Sequence, residues 1–293
     1  MLATISSTYL PIALAVIMLG LGLSLTTADF RRVLTQPKAV ATALAVQVLL
    51  LPTLAWALCH LFALPPALAV GLMLLAASPG GTSANLFSHL AGGDVALNIT
   101  LTAVNSVLAI ITLPLLINLA LVSFIGEARS VPLQFGKVAQ VVAIVIVPVL
   151  AGMLLRNRRP ALAIRCERPV KLFSVLFLAS LVGLVMISGW KTITAHMASV
   201  GSAALLFNLM SLAIGYGLPR LIGLGQSQAI AIGMEIGVHN SALAIAIALS
   251  PLLLNDPVMA IPATLYSPIM MLTAGLFAYW LTRPGRLAAI AQA

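Results

Sequence analysis

Runs of about twenty apolar residues recur along nearly the whole chain, and a run of that length is what an α-helix needs to cross the hydrocarbon core of a bilayer. Reading for them predicts nine spans, near residues 8–26, 39–60, 66–91, 95–124, 138–155, 172–190, 199–219, 227–250 and 258–281. The composition agrees, because 61% of the 293 residues are apolar and 7% charged, too few polar groups to cover a surface facing water. Segments such as 61–65 and 92–94 are too short to fold alone, so residues 1–293 read as a single transmembrane unit. The expected fold class is an all-α polytopic membrane protein whose main partner is the lipid bilayer.

The net charge of +9 raises the question of nucleic acid, and the placement of the charges answers it. Arg156, Arg158, Arg159, Arg165, Arg168 and Lys171 fall in one linker between apolar runs with no aromatic interleaving, a topology signal and not a binding stripe. With the N-terminus outside, twelve basic residues face the cytoplasm: these six with Arg31, Arg32, Lys38, Arg220, Arg283 and Arg286. Only three, Arg129, Lys137 and Lys191, lie outside. That asymmetry fits the positive-inside rule and predicts a cytoplasmic C-terminus in the cytoplasmic (inner) membrane. The first run is kept as a span and not read as a cleaved leader, since no Lys or Arg precedes it while Asp29-Phe30-Arg31-Arg32 follows it. Cys59 and Cys166 fall on opposite sides, so neither a disulfide nor a thiolate metal site is expected.

A charge in mid-membrane is costly, so intramembrane acids come first. Five of the six acids lie at span ends or in loops, Asp94 as the expected N-cap of the span starting at 95. Glu235 alone is mid-span, within Gly233-Met234-Glu235-Ile236-Gly237-Val238-His239-Asn240-Ser241. It reads as a cation ligand or proton carrier ahead of a merely hydrogen-bonded core carboxyl. The second polar focus is Ser78-Pro79-Gly80-Gly81-Thr82-Ser83-Ala84-Asn85, in the middle of span 66–91. Pro79 removes an amide and the two glycines tolerate non-helical dihedrals, so the helix is expected to break there, with Thr82 or Ser83 capping a second half.

The two interrupted spans run in opposite directions, the pattern of an inverted-repeat secondary transporter. Half-helix N-termini near Thr82 and near His239 or Asn240 offer positive dipole ends to an anion, while released carbonyls and the oxygens of Gln47, Asn85, Asn98, Thr102 and Glu235 suit a hard cation such as Na⁺. No HExxH, P-loop, GxSxG or CxxC occurs, which argues against an enzyme and implies no cofactor. The Met270-Met271 pair reads as packing and Trp190 and Trp280 as interfacial anchors.

Pro79-Gly80-Gly81-Thr82 with Asn85, the run Gly93 to Ala103, and Glu235-Ile236-Gly237-Val238-His239-Asn240-Ser241 together resemble the bile acid:sodium symporter family over essentially the whole chain. The resemblance implies a nine-span member that takes up a small organic anion with sodium as coupling ion, by alternating access. It implies a panel formed by spans 8–26, 138–155 and 172–190, and a core of the remaining six with two crossed, broken helices. It maps a first sodium site onto Ala84, Asn85, Asn98, Thr102 and Glu235, and a second onto Gln47, Glu235, the carbonyls of Ile236 and Val238, and His239. Substrate binding falls on Gly81, Thr82, Asn240 and Ser267 with the neighbouring half-helix amides. Ala84 supplies no side-chain oxygen, and His239 stands where the family commonly has Gln, which points to altered sodium stoichiometry or to proton participation. Ile269-Met270-Met271 replaces the polar stretch of bile-acid-binding members, favouring a pantoate or keto-acid type carboxylate over a bile acid. The rival readings are a sodium/proton antiporter or metalloid effluxer of similar build, an intramembrane enzyme using His239 with Glu235, and a channel. Neither nucleic acid nor an obligate protein partner is implied.

Overall fold

The computed structural model describes residues 10–126, 135–251 and 253–283. Arg129 and Arg286, named above for topology, lie outside the described residues, as do the side chains of Lys137 and Lys171. The described residues form helices in the order α1 (Leu10–Ser24), α2 (Thr27–Thr35), α3 (Pro37–Leu61), α4 (Pro66–Ala77), α5 (Thr82–Leu90) and α6 (Val95–Ile125). These are followed by α7 (Phe135–Arg158), α8 (Pro160–Ser188), α9 (Trp190–Leu221), α10 (Gln226–Gly237), α11 (Ser241–Leu249) and α12 (Pro257–Thr282). Helices α3, α6, α8, α9 and α12 are each long and apolar enough to cross a bilayer, and α1 qualifies jointly with α2 across a 61° bend. Large apolar side chains such as Leu115, Leu119, Ile187 and Leu276 point outward, as suits a molecule whose solvent is lipid. This is an all-α, multi-pass membrane protein.

The local chemistry accounts for the boundaries. Asp94 caps α6, its carboxylate accepting the Leu97 amide at 2.9 Å, as the sequence predicts. No element is expected at 27–35, yet a helix forms there because Thr26 and Asp29 make a capping box: Asp29 accepts from the Thr26 amide at 2.7 Å and the Thr26 hydroxyl at 2.8 Å. Arg32 of α2 then donates to the Ala96 carbonyl at 3.2 Å, tying α2 to the start of α6. The basic linker at 156–171 is helical apart from Arg159: α7 runs on through Arg158, and Pro160 opens α8 with the ring already at a helical φ. Arg165 and Arg168 therefore project from the first turns of α8.

Packing separates two sets of neighbours. Helix α1 lies against α7 and α8 at very close range: a Cβ on Gly22 would strike the Val149 backbone, one on Gly152 the backbone of Leu19 to Leu23, and one on Gly20 the Val170 side chain. The other set surrounds α4 and α10, which are buried on all sides from Leu68 to Ala77 and from Ala229 to Gly237. Helices α3, α6, α9 and α12 cover them. Met270 packs inside, its sulfur 3.9 Å from the Ser241 hydroxyl, while Met271 faces outward. Trp190 and Trp280 sit at helix ends and are part exposed.

The contact at Gly22 can be tested. Gly22→Ala is expected to destabilise the detergent-solubilised protein by about 1–3 kcal/mol, the usual cost of overpacking against a backbone that cannot yield. Gly183→Ala, at a position in α8 with no neighbouring atom within 4 Å, is expected to be neutral or mildly stabilising in the same thermal unfolding assay.

Candidate functional site

The two breaks meet each other. Helix α4 ends at Ala77 and α10 at Gly237, and the extended segments beyond them pair antiparallel through an isolated bridge between Gly80 and His239. The Gly81 amide donates to the Val238 carbonyl at 2.7 Å, and the Asn240 amide donates to the Pro79 carbonyl at 2.9 Å. In a continuous helix the Asn240 amide would close on Ile236, so this exchange releases the Ile236 carbonyl from helical bonding. Unwound backbone inside a membrane must find partners, and here each break supplies them to the other.

Glu235, one turn before the second break and fully buried, anchors the crossing. Its carboxylate accepts from the Thr102 hydroxyl at 2.6 Å, from the Asn105 amide at 3.0 Å and from the backbone amide of Gly80. A Cβ on Gly80 would overlap that carboxylate, so glycine is required there. The Thr102 hydroxyl also lies 3.1 Å from the Asn98 carbonyl, and the Asn98 amide donates across to the Ala231 carbonyl on α10 at 2.7 Å. Of the residues singled out for cations, Glu235, Thr102 and Asn98 thus form one connected group. Gln47 sits on a π-helical turn in α3, Val46–Leu50, and donates to the Ala76 and Ser78 carbonyls at 3.0 and 3.1 Å, capping the end of α4.

Several buried side-chain oxygens lack a hydrogen-bond partner among the described residues: Oε1 of Gln47 and Oδ1 of Asn85, Asn98 and Asn105. Neutral amide oxygens of this kind are the ligands a hard cation takes. In each case but Asn85 the amide nitrogen is already committed to a protein acceptor, which fixes the orientation of the group.

His239 belongs to a different network. Its Nδ1 lies 3.0 Å from the Tyr266 hydroxyl, which donates to the Gly237 carbonyl at 2.8 Å, and Asn208 donates to both that carbonyl and that hydroxyl at 2.8 Å. Thr273 donates to Oδ1 of Asn208. Because the Tyr266 proton is spent on Gly237, the hydrogen between Tyr266 and His239 belongs to Nδ1, leaving Nε2 as a bare lone pair with no partner among the described residues.

The residues singled out for substrate divide. Asn240, one of the two residues near which the second half-helix is expected to start, caps α11, its side chain accepting from the Leu243 amide at 3.0 Å. Gly81, not Thr82 or Ser83, occupies the cap of α5, and its own amide is engaged by Val238. Thr82 opens α5 and is exposed. Ser267 bonds back to the Ala263 carbonyl within α12 at 2.9 Å and touches neither break through a hydrogen bond. A cleft of about 410 Å³, counting its open side, lies against the crossing, with Pro79, Ser106 and Asn240 facing Met18 and Leu21 of α1.

Three working residues escape the sequence reading. Asn105 continues the Asn98–Thr102 face by another turn, a spacing that was there to be noticed. Asn208 and Tyr266 stand among scattered polar residues of two mainly apolar spans, with nothing in the sequence to mark them as partners of the second break.

The chain is similar in sequence to known sodium-dependent transporters. The family model described as the sodium bile acid symporter family matches residues 11–196. The uncharacterized sodium-dependent transporter YocS of Bacillus subtilis is 28% identical over 276 residues, covering 94% of this chain and 83% of that protein. The probable sodium/metabolite cotransporter BASS1 of Arabidopsis thaliana is 29% identical over 87% of this chain and 62% of its own length. Human sodium/bile acid cotransporter 4 is 30% identical over 80% of this chain and 54% of its own length. The relatives are transporters and not enzymes, and this chain belongs to the sodium bile acid symporter family.

Proposed function

We propose that this protein is a sodium-coupled symporter for a small organic anion, operating by alternating access in the cytoplasmic membrane with its N-terminus outside and its C-terminus in the cytoplasm. The observation that carries the reading is the Gly80–His239 crossing, with a buried carboxylate at its centre and unpartnered amide oxygens around it. A membrane-buried carboxylate is costly alone and is stabilised when a cation joins it. Sodium at Glu235, with Asn85, Asn98 and Thr102 contributing, holds the crossed segments together. The N-termini of α5 and α11 then present their dipoles and amides to an anion in the adjoining cleft, where Thr82 and Asn240 complete the polar contacts. Helices α1, α7 and α8 form the panel against which the rest moves.

Sodium-dependent transport stands in the printed names of relatives, which supports the choice of coupling ion. The cleft is small, about 410 Å³ even counting its open side, which supports a compact pantoate or keto-acid type carboxylate over a bulky bile acid. The second position, at Gln47, the Ile236 and Val238 carbonyls and His239, is the weaker of the two. Val238 already accepts from Gly81, and the bare imidazole nitrogen of His239 is a poor ligand for Na⁺.

Two experiments test this reading. In proteoliposomes, an inward Na⁺ gradient is expected to drive accumulation of labelled pantoate in preference to taurocholate, and Glu235→Ala is expected to abolish it. Cation flux with neither anion moving would favour the antiporter. The sodium dependence of wild-type uptake is expected to show a Hill coefficient of about one, rising towards about two in His239→Gln, which restores an amide oxygen. A coefficient near two in both proteins would show that His239 leaves the second position intact.

A further inference from the structure

A second cleft, of about 230 Å³ counting its open side, lies on the other flank of Pro79, between α3 and α6. Two of its lining residues are Gln47 and Asn105, 5% and 2% exposed, and each turns a buried amide oxygen without a hydrogen-bond partner among the described residues. In both, the nitrogen end of the amide is spent on a functional element. Gln47 holds the carbonyls that end α4, and Asn105 holds Oε1 of Glu235. The oxygen ends are thereby fixed in place. Leaving two such oxygens unmatched in a membrane interior is unfavourable, and a hard monovalent cation is the species whose binding satisfies them.

We propose that Asn105 is a cation-site residue, its amide nitrogen orienting Glu235 and its oxygen, with that of Gln47, lining the path by which the one Na⁺ held at Glu235 arrives from the cleft between α3 and α6. The inference rests on the sodium-coupled reading above. It adds a residue, Asn105, and a route on the opposite side of Pro79 from the cleft assigned to the anion. The π-helical turn that carries Gln47 fits this role, since the extra residue in that turn changes the direction in which the side chain leaves α3. With the two clefts on either flank of Pro79, ion and anion reach the same crossing from different sides and stabilise it jointly.

The test compares sodium titrations of pantoate uptake in wild type, Asn105→Leu and Asn105→Asp, with Li⁺ in parallel. Asn105→Leu removes both amide ends at similar size and is expected to raise the half-saturating Na⁺ by about tenfold or more, the usual consequence of removing a ligand or its orienting partner. Asn105→Asp keeps an oxygen but sets a second carboxyl against Glu235, and it is expected both to shift the half-saturating Na⁺ and to change the Li⁺ to Na⁺ preference. A purely structural role lowers maximal uptake in both variants and leaves the half-saturating Na⁺ and the ion preference unchanged, which would overturn the proposal.

A second arm leaves Asn105 intact. Thr112 lines the same cleft, and Thr112→Cys in a background with Cys59→Ala and Cys166→Ser is expected to react with a small methanethiosulfonate more slowly in Na⁺ than in choline. Equal rates would remove the cleft as the sodium route and overturn the proposal even where the Asn105 variants fail to fold. Sodium-independent pantoate uptake by the wild type would instead contradict the sodium-coupled reading itself, and this inference with it.

Discussion

The carboxylate of Glu235 is the point on which the rest of the site depends. It sits where two unwound helix segments cross, and it binds the backbone of one segment at Gly80 while belonging to the helix that leads into the other. Thr102 and Asn105 connect it to the long continuous helix α6. One ionisable group thereby joins three elements, and any ligand that changes its charge balance acts on all three. On the symport reading proposed above, this is the physical basis of coupling: whatever the cation adds to the affinity of the anion, the anion must return to the cation.

The second break is braced differently. Behind His239 the protein places a closed set of donors and acceptors, in which Tyr266 and Asn208 satisfy the carbonyl at the end of α10 and Thr273 satisfies Asn208. That network makes the end of α10 independent of any ligand. The first break is held by Gln47 and by the carboxylate of Glu235, so on the symport reading proposed above it is the side on which a bound cation acts. Both clefts lie against Pro79, in the first break.

Much of this was legible in the sequence. Pro79-Gly80-Gly81 announces a break because proline removes an amide and glycine accepts the resulting dihedrals, and a lone acid at Glu235 in an apolar run is conspicuous because of its cost. Asp94 announces the start of α6 through a local rule of capping. What could not be read depends on contacts between distant segments. That Gly80 must lack a side chain because Glu235 lies against it, and that Tyr266 meets His239, are facts of packing across helices. The helix at 27–35 and the helical course of the basic linker were missed for another reason: short amphipathic or charged helices at the ends of spans carry no apolar run, so a search for runs passes over them.

The account stands or falls on sodium binding at the crossing itself, before any substrate is present. The direct measurement is thermal unfolding of the purified protein in detergent as Na⁺ replaces choline at constant ionic strength, in wild type and in Glu235→Gln. A ligand that binds the folded state alone must raise the midpoint in a saturable way. The account expects such a rise with Na⁺ in the wild type, a smaller one or none with K⁺, and none in Glu235→Gln. A midpoint indifferent to Na⁺ in the wild type, or an equal rise in the variant, would contradict it.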